Sequence, residues 1–220
     1  MTAAATAPAP PLVKPRLRGV SHQVAAVLAL PPVLALVAEA RSPLARLAAA
    51  VYGASLVGLF VASAVYHRPT WTPRARARAG RVDHAAIFFL IAGTYTPIGL
   101  ALGAGIGHVL LAVVWIGAAA GAGLAMGWDH APKALRVAVY MMLGWAVVPA
   151  FPALLATRGG ATLGLVVVGA LLYTAGAVAF ALRWPDPYPR TFGYQEVWHL
   201  MVIAAACCHF LAVERIVRAM

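Results

Sequence analysis

The chain divides into seven apolar runs, at about residues 21–40, 44–66, 84–102, 106–128, 135–156, 162–182 and 196–213, parted by short clusters of charge, glycine and proline. Each run approaches the roughly 20 residues that an α-helix needs to cross the hydrocarbon core of a bilayer. The predicted fold is therefore all-α: a polytopic membrane protein whose seven-transmembrane helix bundle occupies residues 20–220. The fifth run is the weakest, because Pro149 and Pro152 in "VVPAFPALL" remove backbone donors and can end a helix. The alternative is six spans with a re-entrant segment. Ahead of the bundle, "MTAAATAPAPPLVKPRLRG" lacks the apolar core and cleavage site of a signal peptide. It reads as a disordered basic tail over residues 1–19.

Of the 220 residues, 63% are hydrophobic and 10% charged, which leaves no room for a soluble domain beside the bundle. The formal net charge of +11 would point to nucleic acid in a soluble protein. Beside membrane spans, basic residues report orientation first. Lys14, Arg16 and Arg18 in the tail, Arg68, Arg74, Arg76, Arg78 and Arg81 after the second run, and Lys133, Arg136, Arg183 and Arg190 share one side, twelve in all. Arg41, Arg46, Arg158, Arg215 and Arg218 make five on the other. Cytoplasmic loops carry the excess, so the N-terminus is expected in the cytoplasm and the C-terminus outside, in the cell's inner (plasma) membrane. The run "RARARAGR" is expected to hold anionic lipid headgroups at the cytoplasmic face, with no nucleic acid as partner. Cys207 and Cys208 adjoin within an apolar run and form neither a disulfide framework nor a spaced metal motif. "GAAAG" at 117–121 spaces two small residues so that helices can approach closely.

Ionisable side chains inside a bilayer are costly and so mark function. Given the orientation above, three distant segments deliver such groups to one depth near the cytoplasmic boundary. The second run ends in "SAVYH", with Ser63 and His67 one helical turn apart on a shared face. The third begins with Asp83 and His84, and the seventh with Gln195, Glu196 and His199. Imidazoles and a carboxylate from separate helices match the needs of a metal site, zinc above all, whose bound water becomes a hydroxide source near neutrality. In that reading His67 and His199 bind the ion, Asp83 orients or deprotonates the water, and Ser63 donates to a neighbour or to substrate. Each residue also has a plainer reading, as a snorkelling interfacial histidine or a carboxylate facing a helix dipole. His22 reads as interfacial, and His84 points away from the face of Asp83. His209, about 15 Å along the helix from His199, reads as a hydrogen-bonding partner of a neighbouring helix.

Four segments, "KPRLRGVSH", "SAVYH", "DHAAIFFLIAGTYTP" and "EVWHLMVIAAACCHF", resemble the hemolysin III family, the bacterial branch of the progestin and adiponectin receptor superfamily, more distantly similar to alkaline ceramidases. Ser63, His67 and Asp83 match that family's Ser-x-x-x-His and following Asp. The resemblance implies a seven-helix fold with a cytoplasmic N-terminus. It also implies a zinc ion held by the histidine ending span two and by a His-x-x-x-His pair in span seven, with the Asp contacting a metal-bound water. His199 is the second member of that pair, but its first position is Gln195. A neutral amide oxygen is a weak zinc ligand. Glu196, three residues before His199, is the preferred substitute as a carboxylate ligand. Otherwise a water completes the sphere, or the site binds metal weakly or not at all.

The resulting expectation is a zinc-dependent, ceramidase-like hydrolase of a lipid amide or ester bond, acting through a metal-bound water on membrane lipids. The alternatives are a non-enzymatic sensor of membrane composition and the cytolysin or pore former that the family name suggests. No run carries the regular charge stripe of a conducting pore.

Overall fold

The computed structural model describes residues 14–127 and 133–220. The expectations for residues 1–13 and for Trp128 lie outside them. The elements are helices: α1 (Val20–Glu39), α2 (Pro43–His67), α3 (Pro73–Leu102), α4 (Ile106–Gly127), α5 (Lys133–Gly144), α6 (Phe151–Leu182) and α7 (Tyr194–Arg218), with a short 3-10 turn at Val148–Ala150. Among the described residues six helical runs are long and apolar enough to cross a membrane, Val137–Leu182 counting as one. The chain is a multi-pass membrane protein.

Local chemistry sets the helix starts. Ser42 accepts a hydrogen bond from the Ala45 N–H at 3.0 Å and Pro43 occupies the first turn of α2. Thr72 and Pro73 do the same for α3, which therefore begins well before residue 84. The arginine run is helix rather than loop, because Arg and Ala are both strong helix formers once a cap is present. Arg76 lies over the Tyr66 ring, 5.5 Å from its centre, and Gly80 packs on the same ring.

The sequence predicts one helix over residues 135–156, and the structure breaks it. Helix α5 ends at Gly144 and α6 starts at Phe151, since Pro149 has no N–H for the helical ladder. The freed Gly144 carbonyl accepts from the Tyr95 hydroxyl, and Trp145 Nε1 donates to Thr174 Oγ1 at 3.1 Å. Helix α6 itself is interrupted at Gly159, whose φ of 77° and ψ of 167° only glycine adopts readily. Arg158, just before that break, donates to the carbonyls of Ala101 at the end of α3 and Ala219 beyond α7, at 3.3 and 3.2 Å.

At the other end of the bundle, the N–H groups of Arg16 and Leu17 donate to the carbonyls of Arg190 and Thr191, both at 3.1 Å. Lys14 Nζ donates to the Arg68 carbonyl at 2.8 Å. Partial burial, with Arg68, Arg76 and Arg18 nearby, lowers the Lys14 pKa from its ordinary value. Residues 14–19 are thus fixed against the bundle instead of belonging to a loose tail.

Helices α3 and α7 serve two cores. One gathers Ile98, Val114, Leu154 and Ile216 with α4, α5 and α6; the other gathers Tyr52, Leu56 and Val213 with α1 and α2. Ala45, Ala48 and Ala49 are buried, whereas Leu28, Leu34, Ile116 and Met142 face outward. Small residues inside and large apolar ones outside suit helices that associate in lipid by close packing. Gly121 lies against Phe88 and Gly117 against Leu143, so "GAAAG" brings α4 close to α3 and α5. Gly121→Val forces a side chain into the Phe88 ring. The expected cost is about 1–3 kcal/mol, read as a lower Tm of the protein in detergent. Gly123→Val, whose added carbon meets open space, leaves Tm unchanged; equal melting of the two variants would contradict this packing.

Candidate functional site

Gly19 explains how the site is assembled. Its φ of 76° is left-handed, and a β-carbon there would lie 2.6 Å from the His67 β-carbon. With glycine, the start of α1 seats directly on the end of α2. His22 is thereby carried inward, buried and stacked on His199 with ring centres 4.1 Å apart and planes 18° apart. The His67 ring lies 5.0 Å from that of His199. Asp83 Oδ2 is 3.8 Å from His67 Nε2, and Ser63, buried one turn before His67, lines the same cavity as Asp83. Ser63, His67, Asp83 and His199 therefore do converge, from three helices.

The neighbours of that cluster come from the N-terminal segment. Arg18 Nε donates to Glu196 Oε1 at 2.5 Å, and Arg18 Nη1 donates to Gln195 Oε1. Glu196 Oε2 accepts from the Gly193 N–H at 2.8 Å, capping α7. Both carboxylate oxygens of the buried Glu196 thus already meet protein donors. Because Arg18 claims the oxygen of the Gln195 amide, its Nε2 faces His67 Nε2 at 3.1 Å. His67 must accept there, which places its own proton on Nδ1.

Does this donor set suit zinc? A ligating imidazole holds the ion in its ring plane at about 2.0–2.1 Å. The nearly parallel rings of His22 and His199 cannot share one ion in both planes. The His67 Nε2 lone pair is occupied by Gln195, whose amide oxygen in turn holds the Arg18 guanidinium, a positive charge beside the cluster. Among the described residues no group of three His, Cys, Asp or Glu side chains is placed to hold a metal. In this arrangement the residues do not fit the zinc expected from the sequence. Their conspicuous feature is a shortage of partners: both ring nitrogens of His22 and Nδ1 of His199 are buried with no hydrogen-bond partner among the described residues. A buried polar group left unpaired costs about 1–3 kcal/mol.

The cluster opens into a cavity of about 430 Å³ that runs along α3, α5, α6 and α7. Ser63, His67, Asp83, Gln195 and His199 line its polar end; Leu90, Tyr140, Trp145, Tyr173, Phe180 and Trp198 are among the residues of its apolar wall. His209 lines it too and donates from Nε2 to the Val166 carbonyl at 3.1 Å, the interhelical bond expected of it. Sequence reasoning missed two residues, His22 and Arg18. The signal was "RLRGVSH", which puts both at the same membrane depth as His67, yet depth does not say which helices adjoin.

Comparison with known proteins gives a consistent picture. The family described as "Haemolysin-III related" matches residues 11–210. The chain is 29% identical to "Hemolysin-3" of Bacillus cereus over 199 residues, covering 88% of this chain and 87% of that one. It is 28% identical to the "Hemolysin-3 homolog" of Bacillus subtilis, covering 88% and 90%. It is also 28% identical to the human "Monocyte to macrophage differentiation factor", covering 76% and 69%.

Elemental analysis checks the donor argument. The purified protein is expected to carry well under one zinc per chain. Gln195→His replaces the amide 3.1 Å from His67 with an imidazole and is expected to approach one. Near-stoichiometric zinc in the parent would overturn the reading.

Proposed function

Because the chain belongs to the haemolysin-III-related family, we propose that it takes a membrane amphiphile into the cavity, with the carbonyl-bearing head among Ser63, His67, Asp83 and His199. The hydrocarbon chain lies along the apolar wall. One observation carries this: a single cavity, of a volume usual for small-molecule sites, joins unpaired buried imidazoles to an aromatic and aliphatic sleeve. The relatives' names suggest cytolysis, but a mostly apolar lining supports a lipid chain better than permeating ions.

Turnover is the second reading, favoured by the Asp83 carboxylate 3.8 Å from His67, with Ser63 lining the same cavity. In hydrolysis of a lipid amide or ester, Asp83 accepts a proton from water as the water oxygen bonds to the carbonyl carbon. The C–N or C–O bond then breaks and the leaving atom receives that proton. The zinc-dependent form of this reaction, suggested by the family resemblance, requires His67 to exchange its Gln195 contact for the ion.

The topology proposed is seven crossings of the plasma membrane with the N-terminus in the cytoplasm, where the basic arm of α3 meets anionic headgroups. Its support is in the contacts. The Tyr140 hydroxyl of α5 donates to the His84 carbonyl at the histidine end, whereas Arg158 sits at the opposite end with Ala101 and Ala219. Residues 190 and 191 return to Arg16 and Leu17. These contacts support one crossing before Gly159 and another after it.

Mass spectrometry of lipids tests function. The parent is expected to retain about one amphiphile per chain, and Ala177→Trp, which fills the sleeve, to lose it while keeping its Tm; undiminished retention would sink the cavity reading. Cells expressing Asp83→Ala are expected to accumulate an amide or ester lipid relative to parent, and identical lipid profiles would remove the hydrolytic reading. For topology, an alkaline phosphatase fused after Met220 is expected to be active, as an enzyme that folds only outside the cytoplasm; an inactive fusion, made in normal amounts, would refute seven crossings.

A further inference from the structure

A second, smaller cavity lies at the end of the bundle away from the histidines, lined by Thr157, Arg158, Thr162, Arg215 and Ala219. Among the described residues two guanidinium groups contribute to it and no carboxylate does. The acids nearby are already paired: Arg218 binds both Glu39 and Glu214 at 2.9 Å. Arg158 uses Nη1 and Nη2 on the carbonyls of Ala219 and Ala101, leaving Nε buried with no hydrogen-bond partner. Arg215 enters through Nε, which donates to Thr162 Oγ1 at 3.3 Å. Thr162 in turn donates to the Arg158 carbonyl at 2.9 Å, and this fixes its lone pairs toward Arg215.

The backbone adds to this charge. The break at Gly159 makes residues 160–182 begin as a fresh helix beside the two arginines. The first N–H groups of such a helix lack partners within it and favour an anion. We propose that this cavity binds a phosphate oxyanion, carried by a phospholipid headgroup or free in solution. Guanidinium donors make strong charge-assisted bonds to phosphate oxygens. Headgroup phosphates lie at this level of a membrane span, where α3 and α7 end and the helix after Gly159 starts.

The test compares the purified full chain in detergent with three variants, by native mass spectrometry with added phosphatidylglycerol and by phosphorus NMR with inorganic phosphate. Arg158→Gln alone would be ambiguous, since Arg158 also ties α3 to the end of the chain. Arg215→Gln is the decisive variant, because among the described residues the side chain of Arg215 bonds only to Thr162. Occupancy is expected to fall at least fivefold in Arg215→Gln and to hold in Arg41→Gln, a basic residue at the same end outside the cavity. Loss of bound phosphatidylglycerol assigns a headgroup site; loss of bound inorganic phosphate alone assigns a free-ion site. Equal occupancy in parent and Arg215→Gln with both probes would overturn the proposal, as would an equal fall in Arg41→Gln.

Discussion

The ion pair between Arg18 and Glu196 joins the beginning of the described chain to the start of its last helix. Glu196 is almost wholly enclosed, with one oxygen on Arg18 and the other capping α7 at Gly193. Breaking such a buried pair by removing one partner costs about 3–5 kcal/mol, a large part of the stability of any domain. From this anchor follow the approach of Gly19 to His67, the stacking of His22 on His199, and the direction of the Gln195 amide. The polar end of the cavity is organised by an arginine that lines none of it.

Lipid, as solvent, imposes the second constraint. A backbone group freed from its helix must find a partner within the protein. Tyr95 supplies one where α5 gives way to α6, at the Gly144 carbonyl, and beside it Thr174 accepts from the Trp145 indole. Those same four residues line the large cavity. Irregular backbone at membrane depth is tolerated where it borders an internal space, and here the break that Pro149 causes helps to shape the sleeve proposed for a hydrocarbon chain. The break at Gly159 stands in the same relation to the arginine-lined cavity at the other end.

Much of the candidate site is legible in the residues. Ser63, His67, Asp83 and His199 can be found because ionisable groups in lipid are rare and the charge count puts all four at one depth. Gln195 stands out only by resemblance, and the structure gives that position a task, holding the lone pair of His67. Spacing also puts Glu196 on the face of His199, but no spacing reveals that Arg18, 178 positions away in sequence, takes its carboxylate. His22 and Arg18 were hidden because counting arginines for orientation treats every one as exposed, and a histidine at a span end is usually interfacial.

The amino-acid sequence alone determined that this chain is a helical membrane protein with its polar chemistry gathered at one depth. The reason is that hydrocarbon thickness and the cost of burying charge act on each helix separately, so run length and composition record them locally. Which helices adjoin, and where each donor points, was decided only in the tertiary structure. Close approach in lipid depends on small residues meeting large ones across helices, as Gly121 meets Phe88 and Gly19 meets His67. Such complementarity belongs to pairs of distant segments and leaves no period in either.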